Sequence, residues 1–300
     1  MSNYDNNGVG LTTTYHNTLA LQNWSAAGTP TISWFEDGEW ANGSQWMLGS
    51  NAGDPTTVTS TGPGYVYAAS DLTKLYNHPN VWTPSSGATD ITQATRSIVW
   101  LNGDYTVVYD RAASLHSGLF KRFNLSLITK PTISGNAITE TLASGQKLFV
   151  QTLLPAAPAF SVMNGAANLN PIAQLEPTQY VYSVQDPSLP ADTRFLHVLQ
   201  GADPNTAMAP ATHTQSISGT AFDGAEFGAQ AVYFPVSATA PITATSFSVG
   251  AGVHTLLITG LTAGASYGVS TTAGGTNTVT IIPGGTGYKA DTAGVLRITL

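Results

Sequence analysis

Apolar residues along this chain alternate with polar ones in short runs that stop at Gly, Pro, Asn or Asp. A spacing of two marks strands that bury one face, and helical spacing is nearly missing. The clearest case spans residues 97–109, where Asn102-Gly103 supplies the positive φ angles of a tight turn between two β-rich arms. A second hairpin joins 137–142 to 146–154 through Gly145. Further strands are predicted at 64–69, 120–128, 179–184, 194–199 and 231–236, with one short helix within 69–76.

Two connections interrupt this pattern. Residues 153–172 carry Pro155, Pro158 and Pro171 among Ala, Gly and Asn, and 203–210 carries Pro204 and Pro210. Neither is long or charged enough for a flexible tether. Residues 1–225 therefore read as one large antiparallel β-sandwich. From about 226 the texture changes to short Thr-, Ser- and Gly-rich strands at 245–249, 254–259, 267–271, 277–282 and 295–300. Residues 226–300 are expected to form a small C-terminal β-module, so the fold class is all-β. Leu261 stands six residues ahead of Tyr267 with Gly264 between them. That spacing resembles the tyrosine corner of fibronectin-like sandwiches, a packing device rather than an activity.

Composition narrows the function. Only 9% of the 300 residues are charged, against roughly 25% in an average soluble domain. The net charge of −7 argues against nucleic acid as a partner, since that takes clustered Lys and Arg. No apolar run approaches the roughly 20 residues of a membrane span, so no membrane partner is expected. Cysteine is absent, which removes disulfides, thiolate metal sites and Cys nucleophiles together. The N-terminal residues lack the basic and apolar regions of a signal peptide. The polar, Thr- and Gly-rich composition reads as that of an extracellular or periplasmic protein whose leader is not in this chain. No Gly-x-Ser-x-Gly elbow, phosphate loop or dinucleotide fingerprint occurs.

Several segments, in order, resemble the β-sandwich of heparinase II/III-like polysaccharide lyases. They are Tyr15-His16-Asn17-Thr18-Leu19, the stretch 65–76, Thr95-Arg96 with the strand to Trp100, and Tyr105 through Asp110-Arg111. Phe120 through Leu125, Leu153-Leu154-Pro155, 195–199 and, in the C-terminal module, 288–296 continue the series. The resemblance covers the sandwich and the C-terminal module only. The α-toroid that precedes the sandwich in complete lyases, and that supplies a Tyr and a His to their cleft, has no counterpart in these residues.

What the resemblance implies is a glycan site. Such lyases cleave uronate polysaccharides by β-elimination, which needs a charge to neutralise the carboxylate, a base and an acid. His16 matches the His that the family's sandwich contributes and is the catalytic candidate. Family members also hold a metal through a His two residues on, a later Asp and a later His. Thr18 breaks that pattern here, which leaves His16, Asp37 and His78 as the candidate ligands of a zinc or calcium ion. Glu36, Asp37 and Glu39 read equally as a solvated acidic turn.

Arg96, Asp110 and Arg111 lie on or beside predicted strands in a chain very short of charge. A buried Arg–Asp pair between neighbouring strands is the expected role, with recognition of a ligand carboxylate by Arg96 or Arg111 the alternative. Four of the six tryptophans fall within 24–46. Trp40 and Trp46, flanked by Gly, Asn, Ser and Gln, are candidates for stacking on sugar rings, whereas Trp100 is expected in the core. Together these features favour a carbohydrate-associated β-sandwich that binds a polysaccharide, uronic-acid-containing by the resemblance, without cleaving it alone. An active lyase or other carbohydrate enzyme is the first alternative. A self-assembling extracellular subunit, a homo-oligomer packed through low-charge Thr/Asn/Gly-rich faces, is the second.

Overall fold

Alternation is converted into strands almost throughout. In a computed structural model the structure describes residues 16–23, 33–35, 38–40, 43, 45, 56–77, 89–101, 104–164 and 178–300, with the backbone alone at 33–35, 38–40 and 56. The chain divides into two units. Unit 1 comprises residues 1–56, 70–96 and 110–195, and unit 2 comprises 57–69, 97–109 and 196–300.

In unit 1, β1 (Leu19–Leu21), β8 (Lys121–Leu127), β13 (Tyr180–Gln185) and β12 (Ala159–Asn164) form a four-stranded sheet in that order. Its register pairs Leu19 with Phe123 and Phe123 with Val184. Phe123, Leu125 and Leu127 consequently point to one face with Tyr182 and Val184, all buried. Opposite lies the hairpin of β10 (Ala137–Thr141) and β11 (Lys147–Leu154), edged by β9 (Thr132–Ser134). The hydroxyls of Tyr182 and Thr152 meet across the layers at 3.4 Å. Gly145 takes φ 85° at the hairpin turn, a conformation that costs a residue with a Cβ more than it costs glycine. A separate pair, β2 (Ser33–Phe35) with β3 (Gly38–Trp40), completes the unit's sheets among the described residues.

The remaining sheet has eight strands: β4 (Thr56–Gly62), β5 (Tyr65–Asp71), β6 (Ile91–Leu101), β7 (Tyr105–Ser114), β14 (Asp192–Ala202), then β11, β10 and β9. The division between units falls inside β4, β5, β6, β7 and β14. Of the helix expected over 69–76, only α1 (Thr73–Tyr76) is helical, because residues up to Asp71 remain in β5. The Asp71 carboxylate accepts the Thr73 N–H at 3.0 Å and stops the strand there. Asn102-Gly103, the expected turn, lies outside the described residues; Asp104 just beyond it has φ 69°. Trp100 departs from expectation. β6 buries Val99 and Leu101, so alternation turns Trp100 outward, 44% exposed.

Unit 2 is dominated by a nine-stranded sheet. Its order is β22 (Tyr288–Lys289), β20 (Ser266–Thr272), β21 (Thr276–Pro283), β18 (Thr245–Gly250), β15 (Ala211–Ser218), β16 (Phe222–Phe227), β17 (Gln230–Pro235), β19 (Thr255–Ile258) and β23 (Leu296–Thr299). Leu296 and Ile298 from one end share a buried cluster with Tyr267 and Ile281 from the other, so the sheet curls onto itself. Its ladders are antiparallel except β17–β19, which is parallel. The chain leaves β17 for β18, inserts it between β15 and β21, and returns to the far side of β17. The boundary expected near residue 225 falls inside β16, midway along this sheet, because both neighbours hold that strand in register through it.

The tyrosine corner forms. Tyr267 is 1% exposed and its phenol oxygen accepts the Thr262 N–H at 3.2 Å. Tyr267→Phe leaves that N–H unsatisfied and is expected to cost about 1 kcal/mol, measurable as a lower urea midpoint at unchanged slope. On the other face of β16–β17, Asp223 is fully buried and accepts hydrogen bonds from Tyr109 Oη (2.7 Å) and Gln215 Nε2 (3.1 Å), with His213 Nε2 at 3.2 Å. Tyr109 stacks on Phe234 there, ring centroids 5.1 Å apart. His213, which no motif singled out, thus meets a buried carboxylate from the surface. Among the described residues no helix is long and apolar enough to cross a membrane.

Candidate functional site

The outer face of the four-stranded sheet in unit 1 is polar, as period two dictates once Phe123, Leu125 and Leu127 turn inward. It carries Arg122, Asn124 and Ser126 from β8, with Ser183 and Gln185 beside them on β13. Arg122 is exposed, and its Nε donates to Gln185 Oε1 at 2.8 Å. Its guanidinium lies 4.2 Å from the centre of the Phe120 ring, an attractive cation–π arrangement. Ser183 Oγ donates to Asn124 Oδ1 at 2.7 Å, so the second polar pair on this face is also locked. Gly43 closes the packing beneath Phe120: at φ 101° it brings its backbone where a Cβ would stand 2.7 Å from the ring.

His16 joins this face at its edge. Residues 16–18 are bent rather than extended and precede β1. Thr18 N–H donates back to the His16 carbonyl at 2.8 Å and makes the bend. The segment then runs along β8: Asn124 N–H donates to the Thr18 carbonyl, and Ser126 N–H donates to Asn17 Oδ1 at 2.7 Å. Thr18 Oγ1 also accepts from Gln45 Nε2, which donates to Tyr76 Oη as well, and Tyr76 Oη donates to the Leu19 carbonyl at 2.6 Å. His16 is half-buried. From Ser126 to Arg122 the face spans roughly 13 Å along the strand.

Arg96 fixes the bend from below. Its Nε and Nη2 donate to the two Asp110 oxygens at 2.7 and 2.8 Å, and its Nη1 donates to the Asn17 carbonyl at 2.6 Å. The side chain is 13% exposed and that of Asp110 is fully buried. Burial opposes the Arg96 charge, but the Asp110 carboxylate outweighs it and raises the pKa above the usual value. Arg96 thus holds the main chain of the residue that follows His16. Arg111 stands elsewhere, 4% exposed, with Nη1 donating to Thr95 Oγ1 at 3.2 Å.

Trp40 ends β3, and its side chain lies outside the described residues, as do Trp46, Asp37 and His78 entirely. Among the described residues no three His, Asp or Glu side chains come together as a metal site. Arg122 was missed in the sequence. It alternates with Lys121 and Phe123, and that alternation alone places it with Asn124 on one face. Lys121, on the opposite face, is 2% exposed and donates through Nζ to the Pro190 carbonyl at 2.8 Å, and burial lowers its pKa.

The chain is similar to solved structures of a heparan sulfate lyase and a heparinase III. It matches heparan sulfate lyase HepC from Pedobacter heparinus at 15% identity over 76% of this chain and 31% of that one, with a TM-score of 0.48. It matches a heparinase III at 13% identity over 75% of this chain and 30% of that one, with a TM-score of 0.48. The chain therefore spans about three-tenths of the length of these structures. No family model matches it, and no curated protein does. At such identities the likeness is one of fold alone.

Proposed function

We propose that the chain is a carbohydrate-associated β-sandwich whose outer sheet face in unit 1 binds an acidic polysaccharide without cleaving it. The observation that carries this reading is Arg122, an exposed guanidinium held in place by Gln185 and Phe120 on a face of hydrogen-bonding side chains. Among the described residues it has no carboxylate partner, and its free Nη atoms suit a uronate carboxylate or a sulfate. Asn17, Ser126 and Ser183 supply partners for sugar hydroxyls along the same face. His16 is the one histidine on that face among the described residues, whereas elimination needs both a base and an acid.

The test is titration calorimetry with heparan sulfate, chondroitin and alginate, alongside absorbance of the unsaturated uronate product. At least one polysaccharide is expected to bind with no product formed. Arg122→Ala should weaken binding about tenfold or more, as loss of an anchoring arginine does. Absence of binding to all three, or unchanged affinity in Arg122→Ala, overturns the proposal. Product that disappears in His16→Ala promotes the lyase reading instead.

A further inference from the structure

Unit 2 contains a second cleft, of about 310 Å³. Its floor is the outer surface of β17, β19 and β23. Gln230 is paired with Thr255 in the parallel ladder, and Leu257 with Arg297 in the antiparallel one. Alternation sends these four side chains away from Leu256, Ile258 and Ile298, which lie in the buried cluster on the other side. The turn at Pro63-Gly64 and Leu101 form the facing wall, and His254 stands at the mouth.

The chemistry of this cleft is specific. Leu257 and Leu101 are buried beneath the lining, so the apolar surface that the cleft offers is that of the exposed Pro63 and Ala229. Gln230 and Thr255 are half-buried, while His254 and Arg297 are exposed at the rim. Arg297 donates from Nη1 to Thr299 Oγ1 at 3.2 Å, which orients the guanidinium and leaves its remaining N–H groups available. Among the described residues no carboxylate lines the cleft, and Arg297 has no acidic partner. The Asp291 carboxylate of the same unit is held by Tyr65 Oη and by the N–H groups of Ala293 and Val295. In a chain of net charge −7, this cleft pairs a cation that has no acidic partner among the described residues with amide and hydroxyl partners and the exposed Pro63.

We propose that this cleft binds an acidic saccharide unit. Its carboxylate or sulfate sits on Arg297, its hydroxyls meet Gln230, Thr255 and His254, and the C–H face of its ring lies on Pro63. The volume stands at the small end of ligand pockets, roughly 300–1,000 Å³, which suits a short saccharide rather than a long chain. The site shares no residue with the sheet face of unit 1, so either can fail without the other.

The experiment titrates the full chain with digalacturonate, N-acetylglucosamine 6-sulfate, cellobiose and inorganic sulfate. At least one acidic saccharide binds, cellobiose binds about tenfold more weakly or worse, and added salt weakens the acidic ligand. Arg297→Gln loses about tenfold or more in affinity, with an unchanged melting temperature because the side chain is exposed. The titrations are repeated on Arg122→Ala, so that the loss read in Arg297→Gln on that background belongs to this cleft and not to the sheet face of unit 1. Failure of both acidic saccharides to bind, equal binding of cellobiose, or unchanged affinity in Arg297→Gln overturns the proposal. Inorganic sulfate binding as tightly as the sulfated sugar reduces the site to a simple anion hole and overturns the saccharide assignment.

Discussion

Raising the pH from 10 to 12 unfolds the protein cooperatively, in both units. Tyr76 and Tyr182 in unit 1 and Tyr233 in unit 2 are fully buried, and burial is the main cause that pushes each phenol from 10.0 up to about 12. Hydrogen bonds to Thr18 and Gln45 at Tyr76, to Thr152 at Tyr182 and to Thr214 at Tyr233 pull the other way without cancelling it. Each phenol is a stronger acid in the unfolded chain than in the folded protein. Below pH 10 both states hold the proton and the stability is fully present. Above it the unfolded chain ionises first, and stability falls until the folded phenols ionise near pH 12. Each displacement corresponds to roughly 2–3 kcal/mol, on the order of 8 kcal/mol for the three. Most domains have only about 5–15 kcal/mol in total. Circular dichroism and tyrosinate absorbance recorded together against pH should change in one step. A smooth rise in tyrosinate near pH 10 with the sheet signal intact would refute this. Tyr233→Phe should flatten the alkaline dependence of unit 2.

These tyrosines sit where local alternation reaches, and such elements were legible in the sequence. The hairpin of β10 and β11, the strands β8, β13 and β17, and the corner at Tyr267 all follow from spacing over a few residues. What escaped depends on distant partners. β15, Ala-Thr-His-Thr-Gln-Ser-Ile-Ser, has almost no apolar signal and is a strand because β16 and β18 pair with it on both sides. β16 reads as a boundary because the texture of the chain changes there, yet its Asp223 is satisfied by Tyr109, more than a hundred positions earlier. β12 was hidden behind Pro155 and Pro158 in an expected connection. Trp100 shows the complementary limit: alternation defines two faces without saying which residue type takes the outer one. The Arg96–Asp110 pair was legible as a buried ion pair, but its grip on Asn17, and hence on the His16 bend, was not. That link joins residues 79 positions apart.

Arg96→Ala is expected to cost roughly 3–5 kcal/mol, the usual penalty for removing one partner of a buried pair and leaving the other charge behind. The Asp110 carboxylate is fully buried and takes both bonds of the guanidinium fork. Arg96→Lys should restore only part of the loss, since an ammonium cannot present two parallel donors. Replacing both residues, as Arg96→Met with Asp110→Leu, should recover more than the lysine does, because no unpaired charge remains. Denaturant titration reads these three outcomes, and a loss below about 1 kcal/mol in Arg96→Ala would sink the assignment. The same variant frees the Asn17 carbonyl, so the Asn124 and Ser126 amides that hold residues 16–18 should exchange hydrogen faster. Polysaccharide affinity should then fall with that protection, because Arg96 acts by positioning the bend. Lost affinity with wild-type protection at those two amides would instead mean that Arg96 touches the glycan itself.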